Sequence, residues 1–452
     1  MNVLWYVLGV LFVATGVGFS IGWHELGHLV PAKKFGVRVP QYMVGFGPTV
    51  WSRRRGETEY GLKAIPLGGY IRMIGMFPPR PGQEPGTVRV SSTGRMSQLV
   101  DEARAASFEE LRPGDEDRVF YKLGTGKKII IMLGGPVMNL VLAAILLAGL
   151  VMTYGTAVEK PGALVGQVSQ CVVPADQVTA DRVCAADDPL TPAAEAGILP
   201  GDVIVSVAGQ PIEQNRDVST IVRPRAGQPT EIVVERAGER VTLEATPITN
   251  ELPALDENGL PVTDADGNPV MVQTGFLGIA SAPVTAIERQ SPTVVPGMIW
   301  EMVSGTAQIV AKLPQKLVGV YNAAFTGQER DVESPVSVVG VGRIAGEVAS
   351  GQITFFETPG QKLATLVLLL AGLNIALFVF NLIPLLPLDG GHVAGAIWEA
   401  VKKAWARARG LPDPGPVDVA KALPLAYAVS ILLIGMAVLL IYADLVNPVR
   451  LG

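Results

Sequence analysis

Four stretches of this chain carry no charged side chain over lengths that match a lipid bilayer: Met1 to Trp23, Ile129 to Tyr154, Leu363 to Leu388 and Leu423 to Ala443. A helix rises 1.5 Å per residue, so about 20 apolar residues cross the hydrocarbon core. Buried helices of soluble proteins are usually shorter and punctuated by charge, so the four stretches read as transmembrane helices. The whole composition agrees, with 17% charged residues and a mean hydropathy of +0.36, against about 25% charged in ordinary soluble proteins. The first stretch lacks the basic start and small-residue cleavage site of a secretory signal, so it is expected to be retained.

The connections between the spans differ in charge. Residues 32 to 128 hold 17 Lys+Arg and 10 Asp+Glu, with Lys33, Lys34, Lys127 and Lys128 hard against the spans. Residues 155 to 360 hold 12 Lys+Arg and 25 Asp+Glu. Residues 390 to 422 hold five basic side chains, Lys402, Lys403, Arg407, Arg409 and Lys421, against three acidic ones. Basic residues near span ends stay in the cytoplasm. The pattern therefore predicts a multi-pass plasma-membrane protein with both termini and the 155 to 360 connection outside the cytoplasm. Cys171 and Cys184, the only cysteines, fall in that outer region. A disulfide suits an oxidising compartment, and two small buried thiols are the alternative.

Residues 1–31 are read as the first span and 32–128 as a cytoplasmic loop. Within that loop, V-G-F-G-P-T-V-W (44 to 51) and Glu59 to Met73 are Gly-punctuated apolar runs that predict a membrane-associated β-hairpin or small sheet. Residues 78 to 118, rich in Pro, Gly and charge, predict a mobile loop. After the second span (129–154), strand-like runs at Ala163 to Val168, Val203 to Val207, Thr230 to Glu235 and Val241 to Ala245 flank T-P-A-A-E-A-G-I-L-P-G-D-V-I-V-S-V-A-G-Q-P-I (191 to 212). That segment resembles a PDZ domain, and the expectation is an extracytoplasmic PDZ-like α+β domain over 155–250. Such a domain captures an extended peptide at a sheet edge. Residues 251–360 are expected to be a polar linker, at 251 to 274, followed by amphipathic helical stretches such as Met298 to Leu317. The third span is placed at 361–388, a cytoplasmic loop at 389–422 and the fourth span at 423–445.

The chemistry is concentrated in His24-Glu25-Leu26-Gly27-His28. Side chains four apart share a helix face, so His24 and His28 can offer two nitrogens to one metal ion. Glu25 then stands beside a metal-bound water as general base. Ionisable groups at membrane depth are costly, so this glutamate demands a partner. A catalytic zinc site takes three protein ligands and a water. Asp389, in N-L-I-P-L-L-P-L-D-G-G-H (381 to 392), is the candidate third ligand, with His392 as its rival and a helix cap as its alternative reading. Asn381, Pro384 and Pro387 break the third helix, and the freed backbone groups must be satisfied within protein or a wet cavity.

With H-E-L-G-H, G-F-G-P, I-P-L-G-G-Y, G-G-P-V-M-N (134 to 139) and L-D-G-G-H in this order, the chain resembles the site-2 protease family along almost its whole length. These are RseP-like intramembrane zinc metalloproteases of peptidase family M50, and the single PDZ-like domain is closest to the actinobacterial type. The resemblance implies one Zn²⁺ held by His24, His28 and Asp389, with Glu25 activating water. It implies that Asn381 and Pro384 contact substrate, and that Asn139 lies in a motif near it. There Gly134, Gly135 and Pro136 either shape the cavity or pack helices closely. It further implies that the strand carrying Gly68 and Gly69 pairs with an unwound substrate segment. The second proline of the family's N-x-x-P-L-P stands one place later here, at Pro387. The activity implied is regulated intramembrane proteolysis of single-span proteins embedded in membrane lipid. Anti-sigma factors already cut by a site-1-type protease, or remnant signal peptides, are the implied substrates, and no nucleic-acid partner is expected. A membrane scaffold would need no metal. A transporter would use the broken helix without a glutamate between two ligating histidines.

Overall fold

The computed structural model describes residues 2–79, 111–172, 184, 188–256, 261–264, 268–353 and 358–449. They fall into two compact units, Met1–Tyr154 with Gln290–Gly452, and Gly155–Arg289. Four helices are long and apolar enough to cross a membrane.

The first, α1 (Asn2–Lys34), ends on Lys33 and Lys34, whose charge complements the negative end of the helix dipole. It leads into strands β1 (Gln41–Arg55) and β2 (Thr58–Arg72), joined by a two-residue turn at Gly56 and Glu57. Val44 pairs with Gly69 and Gln41 with Arg72, while Trp51 pairs with Leu62 and Arg55 with Thr58. Gln41 to Val44 also lies beside Glu59 to Leu62, so the two long strands curl into a four-ply sheet. Phe46, Val50, Trp51, Leu62 and Ile65 stay exposed on it, as expected of a sheet meeting lipid. Its inner side is anchored by buried Val37, Val39 and Met73, packed against Leu29 of α1 and against Ile131 and Met132 of α2 (Thr125–Thr153). Most of the loop expected at 78 to 118 lies outside the described residues.

The second unit is a β-sheet in the order β10-β3-β4-β6-β7, built from β3 (Thr156–Val168), β4 (Val203–Val207), β6 (Thr230–Arg236), β7 (Glu239–Ala245) and β10 (Ile279–Glu288), with β5 (Gln210–Pro211) paired to β4. The short helix α3 (Pro192–Glu195) is capped by Thr191, and α4 (Asn215–Val222) by a reciprocal Gln214 and Asp217 box. Alternation along the strands points Val165, Ile204, Ile232 and Val234 into one core with Ile198, Val218 and Ile221. Cys171 and Cys184 are disulfide-bonded. The sheet runs past the boundary expected at 250, because β10 pairs along almost all of β3. The expected polar linker is also partly structured: β8 (Ile248–Pro253) and β9 (Met271–Phe276) form a hairpin. Its polar alternating residues pair as a two-stranded ribbon with one face in solvent, a pattern that composition alone reads as loop.

The chain returns to the first unit as α5 (Val295–Ala311) and α6 (Leu313–Phe325), a split of the expected Met298 to Leu317 helix beside Pro314. Next, α7 (Val338–Ser350) packs on α1, with Gly346 against the Tyr6 ring, and joins a core of Val13, Val341, Ala345, Leu366 and Leu370. The third span, α8 (Pro359–Asn381), stops seven residues before the expected Leu388, because Pro384 and Pro387 cannot continue it. Asp389 instead opens a new helix, α9 (Asp389–Ala408), where a loop was expected. Gly390 and Gly391 make the reversal possible, since a side chain at either would strike the backbone of Leu382 to Leu386. The last span, α10 (Leu423–Val446), is pinned near its end by Asp444, which accepts from Arg330 at 2.6 Å and from the Ser337 N–H at 2.6 Å.

Candidate metal centre

Placing ligands four apart on α1 aims His24 and His28 at one point, and the α8–α9 reversal brings Asp389 to the same point. The two Nε2 atoms are 3.1 Å apart, and Asp389 Oδ2 lies 3.2 Å from that of His24 and 3.4 Å from that of His28. Ligands about 2.0–2.1 Å from a tetrahedral ion stand about 3.3 Å from one another, so these spacings fit the group. Asp389 Oδ2 is buried without a hydrogen-bond partner, and a buried carboxylate oxygen beside two imidazole nitrogens is a donor set that suits a divalent cation. Among the described residues this is the triad of His, Cys, Asp or Glu side chains suited to hold a metal. His392, the rival ligand, instead lines a small cavity with Met76, Phe120, Lys128 and Glu399.

The imidazoles are oriented from behind. His28 Nδ1 lies 2.7 Å from the Ile131 carbonyl, so it donates there and leaves Nε2 with its lone pair inward. Asn139, expected near substrate, is fully buried, with its amide nitrogen 3.0 Å from His24 Nδ1 and its Oδ1 without a hydrogen bond. Its side chain therefore faces the back of His24 rather than open space. The glycines of 134 to 139 divide their work. A Cβ on Gly134 would strike the Gly27 carbonyl of α1, whereas one on Gly135 would strike His28 Nε2 and His24. Thus Gly134 serves close helix packing and Gly135 clears room for the two imidazoles.

Glu25 faces the curled sheet. A Cβ on Gly69 would come within 3.0 Å of Glu25 Cγ, so this edge of the sheet lies against the glutamate. Tyr42 fixes this approach by donating to the Gly22 carbonyl at 2.6 Å. Gly68 has φ +108°, and a side chain there would collide with the Phe46 ring. The outer half of β2 is laddered to β1 on one side, and the described ladders put no strand on its other side. Asn381 donates to the Leu377 carbonyl at 3.0 Å, within its own helix, and Pro384 is exposed on the turn that follows.

Sequence reasoning missed one further pair. Lys128 of α2 donates to Glu399 of α9 at 2.8 Å, and Glu399 also accepts from Lys403 at 2.8 Å and the Val417 N–H at 3.1 Å. Both partners of the first bond are buried. Their 271-residue separation leaves no local pattern to find.

The model for peptidase family M50 matches residues 12–410. The chain is 32% identical to zinc metalloprotease Rip1 of Mycobacterium tuberculosis over 99% of each chain. It is 29% identical to metalloprotease MmpA of Caulobacter vibrioides, over 89% of this chain and 88% of that one. It is 27% identical to zinc metalloprotease RasP of Oceanobacillus iheyensis, over 85% of this chain and 89% of that one.

Proposed function

The chain belongs to peptidase family M50, and from that premise we propose that it is a zinc-dependent endopeptidase that cleaves single-span membrane proteins within or near the bilayer. The observation that carries this reading is the convergence of His24, His28 and Asp389 beside Glu25, on a helix long and apolar enough to span. His24, His28 and Asp389 would hold the ion. When bound, it would supply Lewis acidity to the scissile carbonyl and to the attacking water. Glu25 takes the proton of that water and passes it to the leaving nitrogen.

A transmembrane substrate arrives as a helix whose carbonyls are already bonded, so it must unwind before hydrolysis. The outer edge of β2 at Gly68 and Gly69, lying against Glu25, offers backbone groups to the unwound segment and offsets that loss. Asn381 spends one N–H on the Leu377 carbonyl and keeps its second N–H and its amide oxygen for substrate, and Pro384 sits on the turn that follows. The Gly155–Arg289 unit acts as a PDZ-like gate on the outer side, admitting substrates whose outer domain an earlier protease has removed. Anti-sigma factors in regulated intramembrane proteolysis fit that description, and remnant signal peptides do so by size.

The deciding experiment is cleavage of a purified single-span substrate with zinc content measured in parallel. Glu25→Gln should keep its zinc and lose at least about a hundredfold in rate. Asp389→Ala should lose the zinc as well, whereas His392→Ala should retain it. Full activity in Glu25→Gln would falsify the mechanism.

A further inference from the structure

Helix α9 lies outside the four spans, yet it exposes a stripe of large apolar side chains. Ile397, Trp398, Val401 and Trp405 are each between 50% and 57% exposed. At 100° per residue these four fall within about 100° of arc, opposite the buried Ala396, Glu399 and Ala406. The charges beside the stripe are of one sign. Lys402, Arg407 and Arg409 flank it, and the Arg409 guanidinium stacks 4.7 Å from the Trp405 ring. Both acidic residues of the helix are occupied elsewhere, Asp389 against the two histidines and Glu399 against Lys128 and Lys403. The exposed side of α9 is thus apolar at its centre, aromatic at two positions and purely basic at its rim.

We propose that α9 is an interfacial helix that binds anionic phospholipid. Tryptophans favour the depth where acyl chains meet headgroups, because the ring is apolar and its N–H needs a polar partner. Basic side chains at the rim of an apolar stripe reach phosphate oxygens in the plane just above. The helix sits in sequence between α8 and α10, both long and apolar enough to span, so the chain on either side ties it to the bilayer. Charge complementarity selects a headgroup with net negative charge over a zwitterionic one, since no exposed acid on the helix balances the rim. This surface stands apart from the hydrolytic chemistry and would hold for a chain with no activity.

The test uses the full-length protein in nanodiscs of phosphatidylcholine with graded phosphatidylglycerol. Lipids brominated close to the headgroup should quench the part of the tryptophan emission that Trp398→Phe/Trp405→Phe removes. If that part is quenched instead by aqueous iodide, or by neither agent because a second copy covers it, the proposal fails. Native mass spectrometry should show Lys402→Gln/Arg409→Gln retaining phosphatidylglycerol on the order of tenfold more weakly than wild type, with phosphatidylcholine unaffected. Equal retention in both proteins overturns the headgroup assignment. The two charge substitutions are at the exposed rim and leave Lys128, Glu399 and Lys403 in place, so a loss of fold would show separately as a lowered melting temperature.

Discussion

At the scale of single residues, the two histidines differ in what holds them. His28 is oriented by a backbone carbonyl, which no substitution at Ile131 removes, whereas His24 depends on a side chain, Asn139. An amide's oxygen and nitrogen are interchangeable by a half-turn. With Oδ1 toward His24, the amide accepts from Nδ1–H and the imidazole keeps its inward lone pair, which also satisfies the atom now without a partner. On this reading Asn139→Ala should weaken zinc binding about 10–100-fold, and Asn139→Asp, which can only accept, should restore most of it. Equal zinc affinity in all three proteins, measured by competition with a chelator dye, would remove Asn139 from the metal centre. His24, Glu25, His28 and Asp389 were legible in the sequence because ionisable groups at the edges of apolar runs are conspicuous. The role of Asn139 was not, since a buried amide and a substrate-facing one look alike in one dimension. Gly135 was equally opaque: its neighbour Gly134 has the same composition and a different reason to be small.

At the scale of elements, hydropathy marks the four long apolar helices and overshoots the end of the third. Apolar composition continues to Leu388 although the helix stops at Asn381, because hydropathy does not register where prolines turn the chain. The consequence is chemical: Asp389 stands at the first position of α9 rather than at the end of an apolar helix, so whatever fixes α9 fixes the proposed third ligand. The Lys128 to Glu399 bond does that from the α2 side. Removing one partner of a buried pair leaves an uncompensated charge and costs about 3–5 kcal/mol. Lys403 remains near Glu399, so Lys128→Met should fall at the lower end of that range. It should lower the melting temperature and speed zinc loss, while Lys128→Met/Glu399→Leu recovers stability by discarding both charges. A melting curve of Lys128→Met superimposed on wild type would show that α9 is held by its apolar contacts alone.

At the scale of the whole molecule, the Gly155–Arg289 unit is an insertion between α2 and α5. The gate role proposed for it predicts that replacing Gly155–Arg289 with a short linker relaxes substrate choice and leaves hydrolysis itself intact. The informative substrate is an intact, untrimmed single-span protein, which should become cleavable. If it stays uncut while a trimmed one is still cleaved, the unit is no gate. The sheet strands of this unit were legible from alternation and the P-G-D turn. Its far boundary was not, because β10 joins β3 by pairing across more than a hundred residues. That same pairing sets Thr156 opposite Glu288, and within the helical unit the Gln290 N–H donates to the Val151 carbonyl at 3.2 Å. The chain thus leaves the helical unit and re-enters it at neighbouring points. Topologically the helices are interrupted at a single place, so a gene could lose, enlarge or exchange this inserted body without rethreading any of them. Under the gate role proposed above, the inserted body can then diversify while the helices that carry His24, His28 and Asp389 stay fixed.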